Sequence, residues 1–159
     1  MEETAVRVVR VDEYTLQQVL PLIAEYQRFY GAEPDEERNA EHFGRLLREP
    51  TLGTQFVALG DQFEAVGFAT VYYPMQSVHP GASCLLNDLY VAPAARRAGV
   101  GSALVERCRE HAFDSGCEEL WWQTERSNTT VQRLYDKLGA ARSEWYTYAL
   151  PVALHKENE

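Results

Sequence analysis

The chain has 159 residues, of which 45% are hydrophobic, 11% aromatic and 25% charged. These proportions exclude a disordered, collagen-like or fibrous chain, and the length excludes two full-sized domains. Fifteen Lys and Arg against 24 Asp and Glu leave a net charge of −9, which argues against nucleic-acid phosphates and anionic membrane surfaces as partners and suits a cationic one.

The acidic start Met1-Glu2-Glu3-Thr4 reads as neither a signal nor a transit peptide. Residues 6–11 alternate like a half-buried first strand, and Asp12 can cap the helix marked by Leu16, Val19, Leu20, Ile23 and Tyr26. After a break at 31–34, Ala40, Phe43, Leu46 and Leu47 form a second helical stripe that Pro50 ends. Residues 54–59 and 64–73 flank the turn Gly60-Asp61-Gln62 as a hairpin, and 83–91 is a third long strand after the loop around His79-Pro80-Gly81. A helix from about 99 to 115, a buried strand at 119–124, a short helix at 128–138 stopped by Gly139 and an aromatic strand at 144–150 follow. The order β-αα-βββ-α-β-α-β predicts an α/β fold: one mixed, mostly antiparallel sheet flanked by about four helices. Residues 1–150 read as a single domain and 151–159 as a short polar tail.

Cys84, Cys108 and Cys117 are odd in number and widely spaced, which favours reduced thiols and a cytoplasmic setting. Cys108, His111 and Cys117 match no zinc spacing, so no metal is expected. No apolar run approaches the ~18 residues of a membrane span.

The stretch Leu89-Tyr90-Val91-Ala92-Pro93-Ala94-Ala95-Arg96-Arg97-Ala98-Gly99-Val100-Gly101-Ser102 ends a strand and opens a helix through a glycine-bearing turn. A helix start leaves amide N–H groups unpaired at the positive end of its dipole, and glycine lets backbone approach a phosphate, so this is an anion-binding arrangement to which Arg96 and Arg97 add charge. The Walker Lys-Ser/Thr and the third glycine of the dinucleotide fingerprint are both missing. A plain tight turn is the structural alternative.

Leu86-Asn87-Asp88-Leu89-Tyr90-Val91, then Arg96-x-x-Gly99-x-Gly101, then Asn128 with Leu134-Tyr135-x-Lys137-Leu138-Gly139-Ala140 resemble the core of the GNAT superfamily of N-acetyltransferases. The resemblance covers about residues 54–149 and is strongest to the branch with the diamine and polyamine acetyltransferases. It implies acetyl-CoA as co-substrate, with the backbone of Leu89, Tyr90 and Val91 along the pantetheine arm. The amides of Arg97, Ala98, Gly99, Val100, Gly101 and Ser102 would cradle the pyrophosphate, with Arg96, Asn128 and Tyr135 also at the cofactor.

Tyr135 falls where the family places its general acid. A phenol of pKa near 10 stays protonated at neutral pH and can donate to a departing thiolate of pKa near 8.5. Its helical spacing with Val131, Leu134 and Leu138 fits a core role equally. The diamine acetyltransferases carry Glu at the position of Asn87, and Asn cannot take a proton. Asn87 is then a substrate contact, and Asp88 the nearest carboxylate, provided a backbone irregularity re-aims it; a structural carboxylate is the alternative. Trp122 is a candidate acceptor contact among aromatics that mostly read as core. The sequence thus predicts transfer of acetyl from acetyl-CoA to the primary amine of a small cationic molecule. The alternatives are a lysine of a protein, or an acyl-CoA-binding module without catalysis. Family members pair along the final strand, which implies a homodimer.

Overall fold

The computed structural model describes residues 6–152; the first five residues and most of the 151–159 tail lie outside them. The chain clusters into two compact units, one running to Glu125 and one from Arg126 onward.

The first unit holds a five-stranded sheet in the order β1-β2-β3-β6-β7. Its strands are β1 (Arg7–Arg10), β2 (Gly53–Leu59), β3 (Ala65–Tyr72), β6 (Cys84–Val91) and β7 (Leu120–Trp121). All neighbours run antiparallel except the parallel pair β6 and β7, as expected when a helix crosses over between them. That helix is α3 (Val100–Asp114). Between β3 and β6 the loop forms a small hairpin unforeseen in the sequence, β4 (Met75–Gln76) with β5 (Gly81–Ala82).

Helices α1 (Glu13–Phe29) and α2 (Glu36–Arg48) cover one face of the sheet. Asp12 caps α1 reciprocally: its carboxylate accepts the Thr15 N–H at 2.8 Å and its own N–H donates to Thr15 Oγ1 at 2.9 Å. Leu16, Val19, Leu22 and Ile23 of α1 and Phe43 and Leu46 of α2 bury against Val57, Phe68 and Tyr90 of the sheet. Ala40, expected in the α2 stripe, is exposed. Asn39 takes the inward position because its amide pairs with that of Gln27 through two 2.8 Å hydrogen bonds. The other face packs on α3, whose approach is close because Gly67 carries no side chain. A Cβ there would lie 2.9 Å from the Tyr90 carbonyl oxygen and 3.2 Å from Leu104 and Val100.

The second unit contains α4 (Thr129–Lys137). The strand expected at 144–150 is not formed. Its aromatics Trp145, Tyr146 and Tyr148 are exposed, so the burial from which aromatic strand propensity derives is missing there. The edge on which a second copy was expected to pair is therefore absent among the described residues. The strand at 119–124 is also shorter than expected, only Leu120–Trp121.

Candidate active site

β6 gains one residue relative to its partner. Thr70 faces Asp88 while Val71 faces Leu86, so Asn87 is the extra residue of a β-bulge. In a regular strand Leu86 and Asp88 would share a face. The bulge instead sends Asp88 toward α1 and α2, on the side where Tyr90 packs. Asp88 is 7% exposed. Its carboxylate accepts the Asn87 amide at 3.0 Å and the hydroxyls of Thr70 and Tyr26. Thr70 is in turn bonded by Gln55 Nε2 at 2.9 Å.

Burial pushes the Asp88 carboxyl above the usual carboxylate range, and the three donors and the nearby His42 offset this only in part. Burial and the Asp88 charge likewise push the Tyr26 and Tyr72 phenols well up, so both are donors at neutral pH. Tyr72 meets His42 of α2 at 2.8 Å between its hydroxyl and Nε2. The result is a buried carboxylate ringed by phenols, with a basic ring behind it at the surface. The sequence reading did not gather Tyr26, Thr70, Tyr72 and His42 around Asp88. The available signal was Gln55 and Thr70, two polar residues inside otherwise apolar strand runs.

Past the bulge β6 runs on to Val91, but its pairing with β7 is confined to Cys84 with Leu120 and Leu85 with Trp121. From Asn87 onward that edge of β6 lies along no strand among the described residues, an edge suited to an amide-rich ligand arm. Residues 89–91 lie on it. The chain then passes through a short turn, Pro93–Ala95, and two left-handed residues, Arg97 at φ 69° and Gly99 at φ 79°.

Gly99 caps α3 with no side-chain bond, and the first turn of the helix holds no acidic residue. The first intrahelical bond runs from the Ala103 amide to the Gly99 carbonyl at 3.0 Å, so the amides of Val100, Gly101 and Ser102 emerge at the positive end of the dipole. Ala98 stands exposed beside them, as does Arg97. Arg96 is used locally: its Nε donates to the Val91 carbonyl at 3.0 Å and its guanidinium lies 5.7 Å from the Tyr90 ring centre. This bridge fixes the end of β6 to the start of the loop. The uncapped amides, the left-handed turn and the open strand edge fit a diphosphate carrying an amide-rich arm.

Within this unit the structure therefore brings Asn87 and Asp88, the 89–91 edge and the 96–102 loop along one strand and its following turn. Trp122 lies just past β7 and is half-buried. Asn128 and Tyr135 belong to the second unit. There the Asn128 side chain caps α4, accepting the Val131 N–H at 3.4 Å, and Tyr135 is half-buried on the same helix. No group of three or more potential metal-ligating side chains occurs among the described residues, and no helix is long and apolar enough to cross a membrane.

The family model for the acetyltransferase (GNAT) family matches residues 17–140. The uncharacterized N-acetyltransferase YhfO of Bacillus subtilis is 31% identical over 121 residues, 76% of this chain and 80% of its own. The D-amino-acid N-acetyltransferase HPA3 of Saccharomyces cerevisiae is 32% identical over 136 residues, 84% of this chain and 79% of its own. The thialysine N-epsilon-acetyltransferase of Bos taurus is 36% identical over 75 residues, 47% of this chain and 44% of its own. Among solved structures, that of a probable acetyltransferase superposes with a TM-score of 0.82 at 27% identity, covering 92% of this chain and 98% of that one.

Proposed function

The chain belongs to the GNAT family of acetyl-CoA-dependent N-acetyltransferases, and from that premise we propose that it acetylates the primary amine of a small cationic molecule bound beside Asp88. The observation that carries this reading is the bulge at Asn87, which buries a carboxylate next to the open edge of β6. The names of two relatives point the same way, since one states an amino-acid acceptor and the other thialysine. The net charge of −9 favours a cationic acceptor over an anionic one.

An aliphatic ammonium has a pKa near 10.4 and must lose a proton before its lone pair can attack. Asp88 takes that proton, and burial makes it a stronger base than an exposed Asp. Asn87 and Trp122 orient the amine. The nitrogen bonds to the thioester carbon, the carbon–sulfur bond breaks, the Tyr135 hydroxyl gives its proton to the departing sulfur, and the second proton shed by the new amide nitrogen passes through solvent to restore the phenol. Backbone amides at the open strand edge stabilise the oxygen that gains charge on the way. The amides of 97–102 hold the diphosphate, and residues 89–91 with Asn128 and Tyr135 hold the rest of the donor. The family model runs through both compact units, which supports their action as one acetyltransferase domain. The three free cysteines fit the cytoplasm.

The test is CoA-thiol release with a panel of diamines, polyamines, amino acids and lysine peptides. Turnover on a small diamine, reduced roughly ten- to a thousandfold in Tyr135→Phe, is the expected result. Turnover confined to lysine peptides would move the acceptor to protein. Tight acetyl-CoA binding in calorimetry with no release on any amine would identify a binding module. Full activity of Tyr135→Phe would remove the acid from that residue.

A further inference from the structure

The Sγ atoms of Cys84 and Cys117 approach to 2.7 Å, within about an ångström of the ~2.05 Å of a disulfide bond. Both thiols are free. Cys84 opens β6 and is fully buried, whereas Cys117 sits in the turn after α3, just past Gly116 at φ 78°, and is half-exposed. The third cysteine, Cys108, is fully buried on α3. We infer that Cys84 and Cys117 are an oxidative modification site, converted by a hydroperoxide to a disulfide that ties the α3–β7 turn to the start of β6.

The exposure difference orders the two steps. The Cys117 sulfur attacks the outer oxygen of the hydroperoxide, the O–O bond breaks, and the thiol becomes a sulfenic acid as an alcohol leaves, or water from hydrogen peroxide. The Cys84 sulfur then displaces water from the Cys117 sulfur and the S–S bond forms. Two thiols and one hydroperoxide thus give one disulfide, one alcohol and one water. Burial pushes the Cys84 and Cys108 thiols up, so the half-exposed Cys117 is the thiol that meets the peroxide first. Cys84 is suited to the second step because its target sulfur is already in contact.

The position of this bond gives it a consequence. β6 and β7 pair only at Cys84 with Leu120 and Leu85 with Trp121, so the cross-link lands at the closed end of the gap between the two strands. It joins positions 33 apart, and the closed loop encloses β6, the glycine turn and all of α3. Oxidation therefore staples the segment whose amides face the donor, chiefly by restricting the unfolded chain.

The experiment treats the reduced full-length protein with hydrogen peroxide, follows intact mass, maps the peptides and measures Tm. The expected result is the loss of two hydrogen atoms, a Cys84–Cys117 cross-linked peptide with Cys108 still open to alkylation, and a rise in Tm of about 10 °C. Dithiothreitol reverses all three, and hydrogen exchange at the amides of β7 slows on oxidation. Cys117→Ser, a change at a half-exposed position, keeps the reduced fold and loses both cross-link and Tm rise; Cys108→Ser keeps both. A cross-link through Cys108, progression of Cys117 to sulfinic acid with Cys84 still free, or a cross-link that leaves Tm unchanged would each overturn the proposal. None of these readouts depends on the acceptor or on catalysis.

Discussion

The Asn87 side-chain amide donates to the Asp88 carboxylate at 3.0 Å, a bond between chain neighbours that a regular strand prevents by sending their side chains to opposite faces. The bulge that permits it also sets the charge state of the carboxylate. Asn87, Thr70 and Tyr26 all donate to Asp88 and favour its ionised form, while burial opposes it and dominates. The pKa of this carboxyl is thus raised by its burial and trimmed by its donors.

The sign of each donor deletion follows. The proposed base Asp88 must be ionised to act, so the acidic limb of kcat/KM against pH is expected above the usual carboxylate range. Removing a donor raises the Asp88 pKa further, so Tyr26→Phe and Asn87→Ala move that limb to higher pH and cost no more than about tenfold at pH 8. Asp88→Asn removes the proposed base and should lower kcat by about 10²- to 10⁴-fold. Rate measurements from about pH 5 to about pH 9 check all three, and an unmoved limb in Tyr26→Phe would show that the limb reports another group.

Periodicity and turn chemistry made most elements readable in advance. The 99–115 helix is α3 with Gly99 and Ser115 as its caps, and the 128–138 helix is α4 with Asn128 and Leu138 as its caps. The face taken by Asp88 was not readable, because a bulge is a register property of two strands and Thr70 gives no local sign that it will face Asp88. The aromatic run at 145–148 misled for a related reason. Strand propensity reports fitness for a half-buried pleated surface, and residues 144–150 form no such surface. Two of the donors to Asp88, Tyr26 of α1 and Thr70 of β3, are far from it in sequence, so only the packed sheet reveals them.

Away from this site, His111 of α3 is 8% exposed. It bonds the Tyr73 hydroxyl at 2.5 Å and a guanidinium nitrogen of Arg10 at 3.3 Å. Ser115 also contacts it, and Arg107 and Asp114 act on it through space. Burial, then the two arginines, lower its pKa below the usual histidine value, and Asp114 opposes them weakly. The unfolded chain therefore binds a proton near pH 6.5 that the folded chain refuses until lower pH. The stability this gives is complete above about pH 6.5 and is lost as pH falls toward the folded value. His111→Gln cannot titrate, so its Tm should fall by a few degrees less than that of the parent between about pH 7 and about pH 5. Parallel Tm curves for the two proteins would exclude His111 as the source.

Two glycine-to-alanine changes separate backbone strain from crowding at the proposed donor loop. At Gly99 a new Cβ meets nothing within 4 Å, but the residue holds φ +79°, so Gly99→Ala costs about 1 kcal/mol of left-handed strain. That strain is relieved by loosening the cap of α3, which disperses the amides of 100–102, so KM for acetyl-CoA should rise several-fold while KM for the amine holds. At Gly67 the backbone needs nothing special, yet a Cβ falls 2.9 Å from the Tyr90 carbonyl oxygen and 3.2 Å from Val100 and Leu104. None of these can retreat cheaply, because the carbonyl belongs to β6 and both side chains are buried. Gly67→Ala should therefore cost about 1–3 kcal/mol and, by prising β6 and α3 from β3 together, raise KM for acetyl-CoA as well. Thermal melts with acetyl-CoA titrations distinguish the two causes. Saturating donor should recover most of the Tm lost in Gly99→Ala, where binding restores the cap, and much less of that lost in Gly67→Ala, where the clash remains with donor bound.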